Sequence, residues 1–211
     1  MRHIAKYFFY SYSDCPKPNL SEDQKLVRLN WCLARRHWTV DQWKHVLFTD
    51  EMHCSEHDHK KVWFVRTAAM KNDPKFRTKT KSHGGFCVSV WGGVSAEGLT
   101  ELFISGDDSD RWNRLDYIKI IRNYARPMLD EHDLTLQQDN APIHNAEDTL
   151  HAFDLMGIDL MRWPPYSPDL NLIENLWGII KGKLPAVLYQ TRDEFIEAIR
   201  AAWASISPEI I

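Results

Sequence analysis

An apolar run that stops on an acid, then a proline-rich turn that restarts as a helix carrying another acid, leaves few architectures open. Leu134-Thr135-Leu136-Gln137-Gln138 reads as a strand closed by Asp139. Pro164-Pro165-Tyr166-Ser167-Pro168 breaks both strand and helix. Helical spacing then resumes near Leu170 and carries Glu174. Earlier, Val46-Leu47-Phe48-Thr49 forms a buried-strand pattern that ends in Asp50. Two acids at strand ends and a third on a helix after a turn call for a sheet with helices on its faces, where strand-end carboxylates converge although far apart in sequence.

The rest of the chain fits that α/β class. Ser21, followed by Glu22, Asp23 and Gln24, starts a helix with Leu26, Leu29, Leu33 and Trp38 at helical spacing, and Thr39 to Trp43 starts a second. Both are expected to bury those apolar residues in the core. Val62–Val65 and Phe86–Trp91 read as strands. Gly92-Gly93 and Glu97-Gly98 punctuate a hairpin into Leu99–Ile104. Helices are expected over Asn113–Leu129, Asn145–Met156, from Leu170, and over Arg192–Ile206, with a short strand at Ile158–Met161. The chain divides into a linker with N-terminal helices (1–44), a domain that carries the three acids (45–185) and a C-terminal helix packing on it (186–211).

Hydrophobic residues make up 44% of the 211, enough for a packed core, so global disorder is excluded. The net charge of −3 does not by itself point to nucleic acid, but its distribution does more. Between residues 60 and 81, Lys60, Lys61, Arg66, Lys71, Lys75, Arg77, Lys79 and Lys81 face a single acid, Asp73. That segment is either a solvated basic loop or a surface for phosphates. Cys15, Cys32, Cys54 and Cys87 lack CxxC pairing and read as reduced thiols of an intracellular protein. No apolar run approaches the roughly 18 residues of a membrane span, and no signal peptide is recognisable.

Three separated carboxylates, rigidly placed, are the raw material of a two-metal phosphoryl-transfer site. Hard divalent cations such as Mg²⁺ take oxygen ligands, and a pair of them serves both the attacking and the leaving oxygen. A single Asp is more often a solvated loop residue or a helix cap, so the case rests on all three in context. His144 either contacts a phosphate, orients a water or caps the next helix. Glu51 is a neighbour of Asp50 and not a co-ligand, because adjacent strand residues point to opposite faces. His53-Cys54-Ser55-Glu56-His57-Asp58-His59 has zinc-ligand residue types but no second cluster at a recognised spacing, and reads as a polar turn. Trp63, Trp91, Trp163 and Trp177 read as core.

Four blocks carry a resemblance: Val46-Leu47-Phe48-Thr49-Asp50-Glu51; Val88-Ser89-Val90-Trp91-Gly92-Gly93-Val94-Ser95 with Gly98; Gln137-Gln138-Asp139-Asn140-Ala141-Pro142-Ile143-His144; and Trp163 through the proline-rich turn to Glu174-Asn175-Leu176-Trp177-Gly178. In this order they resemble the catalytic domain of Tc/mariner-superfamily transposases. The 34 residues between Asp139 and Glu174 are similar to the spacing in the branch whose third acid is Glu. The resemblance covers roughly Leu20 to Lys183. It implies an RNase H-like mixed sheet flanked by helices, with Asp50, Asp139 and Glu174 as catalytic residues binding two Mg²⁺ (or Mn²⁺) ions. It also implies DNA cleavage at transposon ends followed by 3′-hydroxyl strand transfer, with DNA and a second copy of the chain as partners in the nucleus. It favours DNA-backbone contact by Lys60, Lys61, Lys71, Lys75, Arg77, Lys79, Lys81 and His144. Two departures are visible. Leu172 stands where the family usually has Pro, which predicts a small change in the turn without loss of the acid. Nothing corresponds to the N-terminal helix-turn-helix pair, so a fragment lacking that domain is expected. The alternatives are an RNase H-like nuclease without strand transfer and a catalytically silent DNA-binding remnant.

Overall fold

The computed structural model describes residues 20–56, 86–106, 112–185 and 189–210. The expected strand Val62–Val65, Trp63 and all seven basic candidates from Lys60 to Lys81 lie outside the described residues. The central strand is β1 (Val46–Ser55). Strand β2 (Cys87–Ser95) pairs with it antiparallel, from Phe48 opposite Val94 to Ser55 opposite Cys87. Strand β5 (Thr135–Gln137) lies parallel on its other side, with Phe48 opposite Gln137. The short strands β3 (Gly98–Leu99) and β4 (Phe103–Ile104) pair with β2. The expected strand Ile158–Met161 is reduced to one parallel bridge between Leu136 and Leu160.

Two corrections concern β1 and β2. Asp50 does not end its strand: β1 continues to Ser55, because Met52 and Cys54 keep the inward alternation going beyond the acids. Gly92-Gly93 does not form a turn but lies inside β2. A Cβ on Gly92 would stand 2.9 Å from Leu102 Cδ2 and 3.0 Å from the Trp177 ring. These glycines therefore serve close packing, and the reversal falls just beyond β2, where Gly98 takes φ of +130°.

Alternation along β1 sorts the molecule into two layers. Val46, Phe48, Met52 and Cys54 face one core, shared with helices α6 (Ile173–Lys183) and α7 (Arg192–Ala204) through Ile173, Leu176, Trp177, Ile180, Phe195, Ile199 and Trp203. Leu47 faces the other, with Trp91, Leu136 and the helices that follow β4. There α3 (Arg114–Ile120) and α4 (Arg126–His132) are joined by a π-helical turn, Ile121–Ala125. Pro127 just beyond it cannot donate to the turn before, and the wider turn accommodates its ring. Helix α5 (Glu147–Met156) adds Phe153 to the same layer.

Helix α1 (Glu22–Arg35) starts at Ser21 with a reciprocal cap from Gln24, and the short α2 (Val40–Lys44) starts likewise at Thr39. The expected inward stripe is corrected: Leu26, Leu29 and Leu33 are exposed. The helix turns Arg28, Trp31 and Arg35 toward the protein. Trp31 meets Trp163 edge-on at 4.9 Å and donates from Nε1 to Arg162 O at 2.7 Å, and the Arg35 guanidinium lies 4.2 Å over the Trp31 ring. Helical spacing alone favours the leucines, but large amphipathic side chains bury well where their polar ends find partners.

Candidate active site

Asp50 and Asp139 each lie two residues past the Phe48–Gln137 pair that ends the β1–β5 ladder, toward the same end of the two strands. Asp50 points to the same layer as Phe48 and Met52, the layer of α6, whose first turn holds Glu174. Asp50, Asp139 and Glu174 line one cleft of about 540 Å³, walled by Asn140, Ala141, Trp163, Asn171 and the turn Pro164–Pro168. The three acids read from the sequence are thus brought together. Asn171 ties the arrangement: its amide donates to Thr49 O at 3.1 Å, next to Asp50, and its Oδ1 accepts from Ile173 N at 3.4 Å at the start of α6. Leu172 takes helical angles and is exposed, so Glu174 keeps its place without the proline.

The electrostatics match a site built for cations. Burial, with the nearby charges of Glu51, Glu174 and Asp139, pushes Asp50 up to about 8. Burial would also raise Asp139, but hydrogen bonds from His144 and from Ala141 N (2.8 Å) hold it below the usual carboxylate range. Among the described residues no three His, Cys, Asp or Glu side chains form a ready-made cage for one ion. Mg²⁺-like ions use one or two carboxylates each and complete their shell with water and substrate phosphate. Carboxylate-only chemistry, an open cleft and an acid destabilised in its charged form all fit such ions.

On the opposite face of β1, Glu51 is indeed directed away from the cleft, but it is not idle. His144 is 2% exposed, with Nδ1 2.7 Å from Asp139 Oδ1 and Nε2 3.3 Å from Glu51 Oε1, the latter without the alignment of a full hydrogen bond. Burial would lower its pKa, but the two carboxylates outweigh burial and bring it up to about 9. Its ring stacks on Tyr117 at 4.0 Å, and Tyr117 donates to Gln138 Oε1 at 2.7 Å. His144, a candidate DNA contact from the sequence, has an enclosed ring that lies between Asp139 and Glu51. Strand alternation placed Glu51 correctly, but a single sequence gives no sign of which residue it would meet. His53 is exposed and bonds Ser89 at 3.0 Å, whereas His57 and His59 lie outside the described residues.

Residues 45–196 match the DDE superfamily endonuclease family. The chain belongs to that family. Among curated relatives, the transposable element Tc3 transposase of Caenorhabditis elegans is 34% identical over 200 residues, which are 90% of this chain and 57% of the relative. The transposable element Tcb2 transposase of Caenorhabditis briggsae is 29% identical over 197 residues, 92% of this chain and 72% of the relative. The fold is that of the Mos1 transposase in its strand transfer complex, with a TM-score of 0.78 at 18% identity, over 95% of this chain and 60% of the other. The Tc/mariner resemblance and the RNase H-like mixed sheet expected from it therefore both stand. The family match begins at β1 and runs into α7, past residue 185.

Proposed function

We propose that this chain is the catalytic part of a Tc/mariner-type transposase, which cleaves DNA strands and transfers the freed 3′-hydroxyl to a second DNA. The observation that carries the reading is the convergence of Asp50, Asp139 and Glu174 on one open cleft. Asp50, Asp139 and Glu174 would hold two Mg²⁺ or Mn²⁺ ions, which supply charge neutralisation at a phosphodiester and activation of the attacking oxygen. Structures of the Mos1 catalytic domain include one with Mn and one with Mg. The chain's own contribution is rigidity. Asp50 is fixed within a paired strand, Asp139 is held by His144 and Ala141 N, and Glu174 is anchored through Asn171. In cleavage, a water oxygen bonds to phosphorus, the bond to the 3′ oxygen breaks, and that oxygen leaves as a hydroxyl. In joining, such a hydroxyl attacks a phosphodiester of the second DNA and displaces its 3′ oxygen.

Lys60, Lys61, Lys71, Lys75, Arg77, Lys79 and Lys81 are proposed to contact the DNA backbone, which positions the duplex without reading its sequence. A homodimer would hold two transposon ends together, and action on chromosomal DNA places the protein in the nucleus. Among the described residues no helix is long and apolar enough to cross a membrane. The test is Mn²⁺-dependent nicking of supercoiled plasmid by the purified chain and by Asp139→Ala, followed by a joining assay with a pre-cleaved 3′-hydroxyl end. Loss of both activities in the variant supports the reading. Equal nicking by the variant refutes it, and nicking without joining reduces it to an endonuclease.

A further inference from the structure

Helix α1 precedes the residues matched by the family, yet it grips the wall of the cleft. The Arg28 guanidinium makes four contacts with the proline-rich turn. Nη1 donates to Tyr166 O at 2.8 Å, Ser167 Oγ at 2.7 Å and Asp169 Oδ1 at 2.8 Å, and Nη2 donates to Asp169 Oδ2 at 2.6 Å. This is a two-pronged Arg–carboxylate fork with two further acceptors, a geometry that lysine cannot copy. The Arg28 side chain is 19% exposed and Asp169 is 59% exposed, so the carboxylate arm of the fork is screened by solvent and the contacts act mainly by fixing geometry. One helical turn on, Trp31 holds the other end of the same segment through Arg162 O and the Trp163 ring.

The gripped segment needs holding. Tyr166 takes φ of +51°, a left-handed conformation that a side-chain-bearing residue adopts only when its surroundings impose it. Arg28 binds the carbonyl of Tyr166 itself and the two polar side chains that follow. Asp169 lies within one 3₁₀ turn, Pro168–Leu170, with Asn171 N bonded to Pro168 O, and the chain then enters α6 at Ile173, one residue before Glu174. The segment leading to the third acid is thus held at two points: Asn171 bonds to Thr49 O of β1, and Arg28 bonds to the turn.

We infer that Arg28 is a positioning residue for the cleft: α1 acts as a clamp that fixes the Tyr166–Asp169 turn and, through it, Glu174. Arg28 touches neither the acids nor the space between them. The inference rests on the reading of the cleft as a DNA-cleaving site, and its test separates the two.

The experiment uses the full chain, with Arg28→Ala and Arg28→Lys, and Lys25→Ala on the same helix as the control. Hydrogen exchange is followed in peptides spanning 163–174. Loss of the clamp is expected to speed exchange there about tenfold in Arg28→Ala, and less in Arg28→Lys. In Mn²⁺-dependent nicking, the rate at saturating DNA is expected to fall about tenfold in Arg28→Ala while half-saturation moves less than about twofold, with Arg28→Lys between. Lys25→Ala should match the unmodified chain in both. Unchanged exchange in Arg28→Ala overturns the clamp. A rise in half-saturation with the rate unchanged overturns it too, because Arg28 would then bind DNA directly. If the unmodified chain nicks no DNA, the functional reading fails, while the exchange measurement still decides the clamp.

Discussion

Raising the pH in the presence of EDTA should destabilise this protein in a way that Asp50 largely dictates. Asp50 is pushed from 3.8 up to about 8, chiefly by burial and then by its acidic neighbours. His144 is brought from 6.5 up to about 9: burial works against it, and Asp139 and Glu51 prevail. Both folded-state values lie above the unfolded ones, so the folded protein binds more protons across each window. Stability from Asp50 is complete below about 4 and is lost as the pH rises to about 8. Stability from His144 is complete below 6.5 and lost through about 9. Each group contributes a slope of about 1.4 kcal/mol per pH unit inside its window. The windows overlap between 6.5 and about 8. There the two together reach at most roughly 2.7 kcal/mol per pH unit, or about 5–10 °C in Tm per pH unit for a chain of this size. Asp50→Asn removes one of the two protons, so its Tm should fall about half as steeply with pH and stand above that of the unmodified chain at pH 8. Saturating Mn²⁺, which favours the ionised carboxylates, should raise the Tm of the unmodified chain more at pH 8 than at pH 6. The measurement is thermal unfolding by circular dichroism from pH 6 to 8.5, with and without metal. Parallel pH profiles for Asp50→Asn and the unmodified chain in EDTA would refute the reasoning, because Asp50 would then ionise freely in the folded state.

Three further perturbations probe the scaffold around the acids. In Gly92→Ala the new methyl meets Leu102, which can yield, and the Trp177–Trp203 stack (5.4 Å between centroids), which cannot without moving α6. A loss of about 1–3 kcal/mol by chemical denaturation is expected, with reduced nicking, and unchanged stability would count against the packing account. His144→Phe leaves Glu51 facing Asp139 with no cation between them. Asp139 is 53% exposed, so the loss is that of a charge-assisted hydrogen bond partly screened by solvent, about 1.5–3 kcal/mol or roughly 3–12 °C in Tm here, and a Tm within about 2 °C of the unmodified chain would argue that the bridge is dispensable. Asn171→Ala removes the tie between Thr49 O and the start of α6. It should cost about 1–3 kcal/mol and reduce the rate of nicking at saturating DNA, and an unaltered rate would show that Glu174 finds its position without the tie.

What was legible in the sequence, and what was not, follows from the range of the interactions involved. The helix starts at Ser21 and Asn113, the strand leading to Asp139 and the turn before Glu174 are local: capping side chains, apolar runs and prolines act within a few residues and can be read where they stand. The convergence of the three acids was also accessible, because the strand pairing expected of a mixed sheet brings them together. Three other features depend on groups that the sequence separates widely. The strand-internal position of Gly92 is explained by Leu102 together with Trp177 and Trp203, the two tryptophans lying far along the chain. The inward face of α1 is set by Arg28 and Trp31, half-buried against partners more than 130 residues away, whereas hydrophobicity favours the exposed leucines. Glu51 is the most instructive case. Alternation directs it off the cleft face, and that holds. The same alternation sends it to the other layer, where its half-buried carboxylate lies 3.3 Å from His144 Nε2. The partner it meets is the histidine that also holds Asp139. The residue beside the first acid therefore acts on both acids: its charge helps raise Asp50 directly, and through His144 it reaches Asp139 from the back of the sheet.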